Sequence, residues 1–126
     1  DLAHNFVLQA VFEGSPCARE EIEEKLEDAR AKRRLSQPSG ASAGCSFQNP
    51  EEIPAGKLID ELGLKNACVG DACVSSVHAN FIINRGHARA RDITILIDMI
   101  RKEAMENRGI DLKSEAQVIG DREPQF

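Results

Sequence analysis

Residues 71–84 read DACVSSVHANFIIN, and this stretch decides the fold because it holds two short apolar runs separated by mostly polar residues. β-Branched and aromatic side chains favour extended backbone, and glycine commonly ends a strand. We therefore predict a weak strand at residues 72–74. A stronger strand is predicted at residues 80–84, ended by Arg85 and Gly86.

A helix is predicted to follow these strands and to begin at Asp92. Its apolar residues recur at helical spacing: Ile93, Leu96, Ile97, Ile100 and Ala104. Asn107, Arg108 and Gly109 then form a typical helix end. Apolar residues at this spacing form one continuous face, so we expect this helix to be the principal core helix.

Shorter elements complete the predicted domain. We expect a helix at residues 55–62 closed by Gly63, a weak strand at residues 67–69 and a last strand at residues 116–119. Short strands interspersed with helices indicate an α+β fold. The domain should cover residues 39–120 and consist of helices packed on a small mixed sheet.

The first part of the chain has a different character. Residues 6–12 predict a strand buried on both faces, and a highly charged helix is expected at about residues 16–35. Residues 36–44 read SQPSGASAG, which is typical of a linker or a functional loop. We therefore predict three segments: a strand in residues 1–14, a connector helix and linker in residues 15–38, and a domain in residues 39–126.

Composition excludes several classes of protein. A net charge of −5 disfavours a nucleic-acid partner, and no apolar run approaches the roughly 18 residues that span a membrane. The first residues lack the pattern of a signal peptide, so we expect a cytoplasmic location and no membrane partner. The cysteines form no CxxC pair, so we expect no metal site and reduced thiols: Cys17, Cys45, Cys68 and Cys73.

Residues 42–50, SAGCSFQNP, are the most unusual stretch chemically. Small residues let a ligand approach the backbone, and a thiol, a hydroxyl and two amides follow closely. Such a loop can present a proton donor beside hydrogen-bonding groups. A glycine-rich turn with a half-buried cysteine explains the same residues, and composition leaves both interpretations open.

Five segments resemble, in order, the motifs of one enzyme family. The segments are RRLSQP (33–38), SAGCSFQNP (42–50), AGKLIDELGLK (55–65), GDACVSSVHANFIIN (70–84) and GIDLKSEAQVIG (109–120). The family that they resemble is that of the bacterial UDP-N-acetylenolpyruvoylglucosamine reductases, and the resemblance is to its C-terminal, substrate-binding domain. The chain departs from the family pattern at Gln48, Asp71, Val77 and residues 113–114.

The resemblance implies a reductase of peptidoglycan synthesis that uses NADPH and FAD. Its substrate would be UDP-N-acetylglucosamine enolpyruvate and its product UDP-N-acetylmuramate. A flavin domain missing from this chain would hold most of the FAD, and the strand and charged helix before residue 39 would be the end of that domain and its connector. We expect the chain alone to be inactive as an enzyme and to contribute substrate binding and the proton donor.

The resemblance also assigns catalytic roles to two residues. Cys45 stands where the family usually has the serine that donates a proton to the substrate. A thiol is mostly protonated at neutral pH and releases its proton more readily than a hydroxyl, so Cys45 suits that role. Glu115 matches a glutamate that supports protonation and charge handling, although the sequence alone favours an ordinary exposed glutamate before a strand. Ser46 is the neighbouring candidate for the donor and for a substrate contact.

Further substrate contacts are implied by polar residues before and after this loop. Asn49 matches an asparagine that contacts the diphosphate region, but asparagine also suits a turn before Pro50. Arg33 and Arg34 are expected near the same diphosphate, but basic residues are favourable at any helix C-terminus. His78 and His87 are expected to be structural or surface residues.

Two other functions are considered. A free-standing nucleotide-sugar binding module would keep the fold without catalysis. A thiol-based redox or metal protein would use Cys68 and Cys73, but their spacing matches neither a CxxC redox motif nor a zinc knuckle.

Overall fold

The structure, a computed structural model, describes residues 8–118. The chain divides into two units, Asp1–Ala31 and Lys32–Phe126, which are treated separately below. No helix in the described part is long and apolar enough to cross a membrane.

The strand predicted at residues 6–12 is wrong for the residues that the structure describes, and residues 6 and 7 lie outside them. Residues 8–12 have no regular structure, and Leu8, Val11 and Phe12 are 95%, 88% and 91% exposed. A β-strand needs a neighbouring strand for its backbone hydrogen bonds, and no described residue pairs with this segment. An apolar sequence alone therefore does not make this segment a strand.

Helix α1 covers Arg19–Ser36, so it begins later than the predicted residue 16. The amide of Ile22 donates to the carbonyl of Ala18, which makes Ala18 the residue before the first turn. Glu20 and Glu21 occupy that turn and basic residues the last one, as the helix dipole favours. None of its residues is buried, as expected for a charged helix with a thin apolar stripe.

Residues 32–126 contain a four-stranded sheet in the order β1-β4-β3-β2. Its strands are β1 (Ala41–Cys45), β2 (Cys68–Val69), β3 (Ala72–Val74) and β4 (Phe81–Asn84). Every pairing is antiparallel, so the predicted mixed sheet is corrected to an antiparallel one. The connections between β2, β3 and β4 are too short for the crossover that a parallel pair needs.

Strand β1 corrects the prediction of a linker or loop at residues 36–44 for its last four residues, 41–44. Ala41 lies opposite Asn84 and Cys45 opposite Phe81, with an irregularity in register between Ser42 and Cys45. Gly44 lies within that irregularity with a φ of 89°, which favours glycine. Pairing with β4 thus overrides the weak β propensity of Ala, Ser and Gly.

Cys68 and Cys73 are joined by a disulfide, so the expectation of reduced thiols is wrong for this pair. The hairpin of β2 and β3 places the two residues directly opposite each other, with Cα atoms 4.1 Å apart. This separation lies just below the usual disulfide range of about 4.4–6.8 Å. Cys17 and Cys45 are free thiols.

Two helices cover the sheet and form the core with it. Helix α2 covers Ala55–Glu61, and helix α3 covers Ala90–Arg108. The amide of Arg89 donates to the Asp92 carboxylate, so Asp92 caps α3 from its first turn and is not its first residue. The largest fully buried side chains are Phe47, Leu58, Ile59, Val74, Leu96, Ile100 and Leu112. These features confirm the α+β fold and the predicted principal core helix.

The last predicted strand is wrong for residues 116–118, and Ile119 lies outside the described residues. In its place, Ser114 forms an isolated antiparallel bridge with Phe47. Two backbone hydrogen bonds, from Gln48 to Lys113 and from Glu115 to Ser46, account for this bridge. The chain thus makes a single bridge where the apolar pattern predicted a strand.

Candidate functional site

A cavity of about 320 Å³ opens beside the end of β1. Cys45 lines it from the sheet, Asn49 from the following turn, and Lys57 and Asp60 from α2. Pro54, Gly56, Lys65 and residues 77–80 complete the lining. The cavity brings together a thiol, two side-chain amides, an imidazole, two ammonium groups and a carboxylate.

Asn80 anchors the Cys45 loop, defined here as residues 45–48. Its side-chain oxygen accepts a hydrogen bond from the amide of Phe47 at 2.9 Å, and its side-chain nitrogen donates to the carbonyl of Phe47 at 2.8 Å. Its main-chain carbonyl accepts from the amide of Ser46 at 2.8 Å. Asn80 is only 2% exposed, so these bonds are made in a site with little competing water. The sequence analysis missed this role, although a polar residue next to a buried strand was the available signal.

The opposite edge of the Cys45 loop holds the Glu115 segment, residues 113–116. The amide of Glu115 donates to the carbonyl of Ser46 at 2.9 Å, and the amide of Gln48 donates to the carbonyl of Lys113 at 2.9 Å. The side chain of Glu115 is solvent-exposed. The structure therefore brings the predicted Cys45 and Glu115 together, although they are far apart in sequence.

The environment of Cys45 favours its protonated form. Burial raises the pKa of the Cys45 thiol, and the negative charge of Glu115 raises it further. Both effects act in the same direction because each disfavours the thiolate. Cys45 therefore keeps its proton at neutral pH while it lines the cavity.

Ser46, the competing donor candidate, is placed differently. It is only 6% exposed, and it is not among the residues that line the cavity. Its amide and carbonyl connect Asn80 on one side to Glu115 on the other. The backbone of Ser46 therefore has a structural function.

Asn49 lines the cavity and also supports α2. Its side-chain oxygen accepts a hydrogen bond from the amide of Ala55, the first residue of that helix, at 3.0 Å. Pro54, which precedes the helix, has no side chain that can cap it. Asn49 thus satisfies a helix amide that Pro54 cannot satisfy.

The structure does not bring Arg33 and Arg34 to this cavity. Both lie on α1, where the Arg33 guanidinium donates to the side-chain oxygen of Gln37 at 2.9 Å, and Arg34 also has an interaction partner. Neither is among the residues that line the cavity. Their contact with substrate stays a prediction.

Lys57, Lys65 and Asp60 were not singled out from the sequence. The ammonium group of Lys65 lies 2.6 Å from the Asp60 carboxylate, and that of Lys57 lies 3.9 Å from the Glu61 carboxylate. Both lysines occur in AGKLIDELGLK, and the resemblance of that segment was the signal available. Glu61 does not line the cavity, so the lining itself carries two cations and one carboxylate, which suits an anionic ligand.

His78 supports the wall of the cavity. Its Nδ1 accepts a hydrogen bond from the amide of Asn80 at 3.2 Å, and its ring packs edge-on against Phe81 with centroids 5.0 Å apart. A Cβ atom at Gly56 would lie 2.7 Å from Cε1 of His78, so glycine lets α2 approach this ring. These contacts confirm the predicted structural role of His78.

Comparison with known proteins identifies the family of this chain. The family model of the UDP-N-acetylenolpyruvoylglucosamine reductase C-terminal domain matches residues 36–119. The chain is 42% identical over 118 residues to the UDP-N-acetylenolpyruvoylglucosamine reductase of Chloroflexus aurantiacus, covering 94% of this chain and 38% of that protein. It is 48% identical over 105 residues to the enzyme of the same name from Heliobacterium modesticaldum, covering 82% and 33%.

The fold also resembles a solved member of this group. The crystal structure of the UDP-N-acetylenolpyruvylglucosamine reductase of Thermus caldophilus matches with a TM-score of 0.66 and 41% identity, covering 79% of this chain and 35% of that one. The chain thus spans only 33% to 38% of the length of these relatives. Because the family model covers most of the chain, the chain belongs to the UDP-N-acetylenolpyruvoylglucosamine reductase family and carries its C-terminal domain.

Proposed function

We propose that this chain is the substrate-binding and proton-donating part of a reductase that converts UDP-N-acetylglucosamine enolpyruvate to UDP-N-acetylmuramate in peptidoglycan synthesis. The observation that carries the proposal is the Cys45 thiol, which lines the cavity with a raised pKa and Glu115 nearby. The enzyme would act in the cytoplasm, with NADPH as the reductant and FAD as the cofactor.

The resemblance to the family assigns FAD mainly to a flavin domain outside this chain, which would supply the hydride. The cavity of about 320 Å³ could enclose only part of a ligand as large as FAD or the nucleotide-sugar substrate. The complete substrate site would therefore include residues of the flavin domain.

The substrate carries a diphosphate and a carboxylate, and the charges in the cavity suit such an anion. Lys57 and Lys65 line the cavity together with one carboxylate, that of Asp60, while the Glu61 carboxylate near Lys57 lies outside the lining. Charge-assisted hydrogen bonds from ammonium groups to phosphate oxygens are stronger than neutral ones. Asn49 would add an amide contact, while Arg33 and Arg34 stay candidates for the diphosphate in the complete enzyme.

Proton donation is assigned to the Cys45 sulfur. Addition of a hydride to the enolpyruvyl double bond leaves negative charge next to the carboxylate, and a proton must then reach that carbon. A thiol kept protonated by burial can supply this proton and is thereby converted to a thiolate. Glu115 would help to keep the thiol protonated before the transfer, and Ser46 is the alternative donor.

Binding of substrate to the chain tests the first half of this proposal. In ¹⁵N–¹H spectra, UDP-N-acetylglucosamine enolpyruvate should shift the amide signals of Cys45, Asn49 and Lys65. Lys65→Ala should weaken binding about tenfold, since it removes a charge-assisted hydrogen bond. Lys102→Ala is the matched control, because Lys102 pairs with Glu106 on the exposed face of α3 and does not line the cavity.

Two results would contradict the proposal. Substrate that shifts no signal around the cavity would remove the binding role. Stoichiometric FAD bound to the purified chain would remove the assignment of the cofactor to another domain, because we expect the chain alone to bind no FAD and to oxidise no NADPH.

A further inference from the structure

We propose that Asn80 is the positioning residue of this site: its side-chain amide acts as one more backbone group of β4 and fixes the Cys45 loop so that the thiol and Glu115 meet. The proposal deepens the proposed function and rests on it for the catalytic meaning of that meeting. Asn80 itself need not touch the substrate.

The ladder between β1 and β4 ends at the pair Cys45 and Phe81. One residue further along, the amide of Ser46 bonds to the main-chain carbonyl of Asn80. Beyond this point the Asn80 side chain takes over, because it accepts from Phe47 N and donates to Phe47 O. An amide side chain offers the donor and the acceptor of one peptide group, so it can extend the ladder by one residue.

The two edges of the Cys45 loop are therefore held by different parts of the chain. Phe47 turns its amide and carbonyl toward Asn80, whereas the Ser46 carbonyl and the Gln48 amide meet the Glu115 segment. Loss of the Asn80 bonds would deprive the Phe47 amide and carbonyl of these partners. Phe47 is only 1% exposed, so both groups would then be unpaired in a buried place. Because buried unpaired groups are unfavourable, the loop would move. Its movement would disturb the hydrogen bonds that join it to the Glu115 segment.

Asn80→Asp is the informative variant. A protonated aspartic acid keeps one acceptor and one donor, as the amide does, whereas the ionised carboxylate only accepts and faces the Phe47 carbonyl. Asn84→Asp is the matched control on the same strand. Asn84 uses only its side-chain oxygen, which accepts from Gly86 and Ala88, so ionisation leaves both bonds in place.

The first measurement is hydrogen exchange of the Phe47 and Glu115 amides as a function of pH. At low pH we expect both amides of N80D to exchange as slowly as in the parent. Once the introduced carboxyl ionises, the protection factor of each amide should fall at least about tenfold. N84D should show no such step. The other titratable groups around Asn80 are common to both variants and cancel in the comparison: His78, Cys45, Asp60, Lys57 and Lys65.

The second measurement tests positioning directly, in a Cys17→Ser background so that Cys45 is the one thiol outside the disulfide. Between pH 7 and 10, adding Glu115→Gln to N84D should speed alkylation of Cys45 about twofold or more, because a thiol with a lower pKa has more thiolate. The same change in N80D, where the carboxylate is ionised, should have no effect, because Glu115 no longer lies beside the thiol.

An equal effect of Glu115→Gln in N80D and N84D would overturn the proposal. So would an N80D chain that is unfolded even at low pH, since that result makes Asn80 a packing residue. Neither readout involves substrate, so a failure of proton donation by Cys45 in an activity assay would not be mistaken for a failure of positioning by Asn80.

Discussion

The main-chain amide of Glu115 donates a 2.9 Å hydrogen bond to the carbonyl of Ser46, the residue that follows Cys45. This bond joins two segments that lie far apart in sequence and places a carboxylate within electrostatic range of the thiol. Four predictions follow from the contacts of this site and of the hairpin beside it.

The first concerns the charge of Glu115. Glu115→Gln should lower the pKa of the Cys45 thiol, because it removes a negative charge that disfavours the thiolate. Burial is the larger cause and persists, so the pKa should stay above its ordinary value. The pH dependence of Cys45 alkylation measures this. Glu106→Gln, on the exposed face of α3, is the control, and identical curves for parent and Glu115→Gln would refute the coupling.

The second prediction separates the two roles of Asn49. Asn49→Ala should lower the free energy of unfolding by about 1 kcal/mol, because the first amide of α2 loses its partner. Asn49→Asp should retain most of that stability, since a carboxylate oxygen can accept the same bond. Urea unfolding measures both, with Gln48→Ala as the exposed neighbouring control. An Asn49→Ala variant with an unchanged free energy of unfolding would mean that Asn49 serves ligand contact alone.

The third prediction concerns the hairpin of β2 and β3. Cys68→Ser should lower the free energy of unfolding by about 2 kcal/mol, near the lower end for disulfides because the closed loop is short. A reductant should lower the stability of the parent to that of the variant and leave the variant unchanged. Cys17→Ser is the control, since Cys17 is an exposed free thiol. A parent protein whose free energy of unfolding does not change with reductant would contradict the disulfide between Cys68 and Cys73.

Elements with a strong local pattern could be predicted from sequence. The spacing of Leu96, Ile97 and Ile100 sufficed for α3, and β3 was predicted with the bounds that the structure has. Helix α2 was recovered to within one residue because Gly63 ends it in a left-handed conformation. In these elements the local sequence preference and the tertiary contacts favour the same structure.

Elements that depend on pairing between distant segments could not be predicted in the same way. Strand β1 consists of small residues and exists because β4 offers an edge. The disulfide depends on hairpin register, which places Cys68 opposite Cys73. The resemblance to a family identified Cys45 and Glu115, but only the structure shows that Asn80 holds the loop between them.

The fourth prediction concerns proton donation by Cys45. It uses a chimeric enzyme in which this chain replaces the matching portion of the Chloroflexus aurantiacus relative. If the thiol is the donor, Cys45→Ala should leave flavin reduction by NADPH unchanged and slow reoxidation by the enolpyruvyl substrate about 10²- to 10⁴-fold, the usual contribution of a general acid. Cys45→Ser should restore much of the rate, because the family usually has serine at this position. Ser46→Ala is the neighbouring control.

The rate of that reoxidation in Cys45→Ala, measured by stopped flow in a single turnover, tests proton donation by the thiol. We expect a loss of at least about a hundredfold, recovered in large part by Cys45→Ser, with Ser46→Ala close to the parent. A normal rate in Cys45→Ala would contradict it, and a loss confined to Ser46→Ala would move the donor to Ser46.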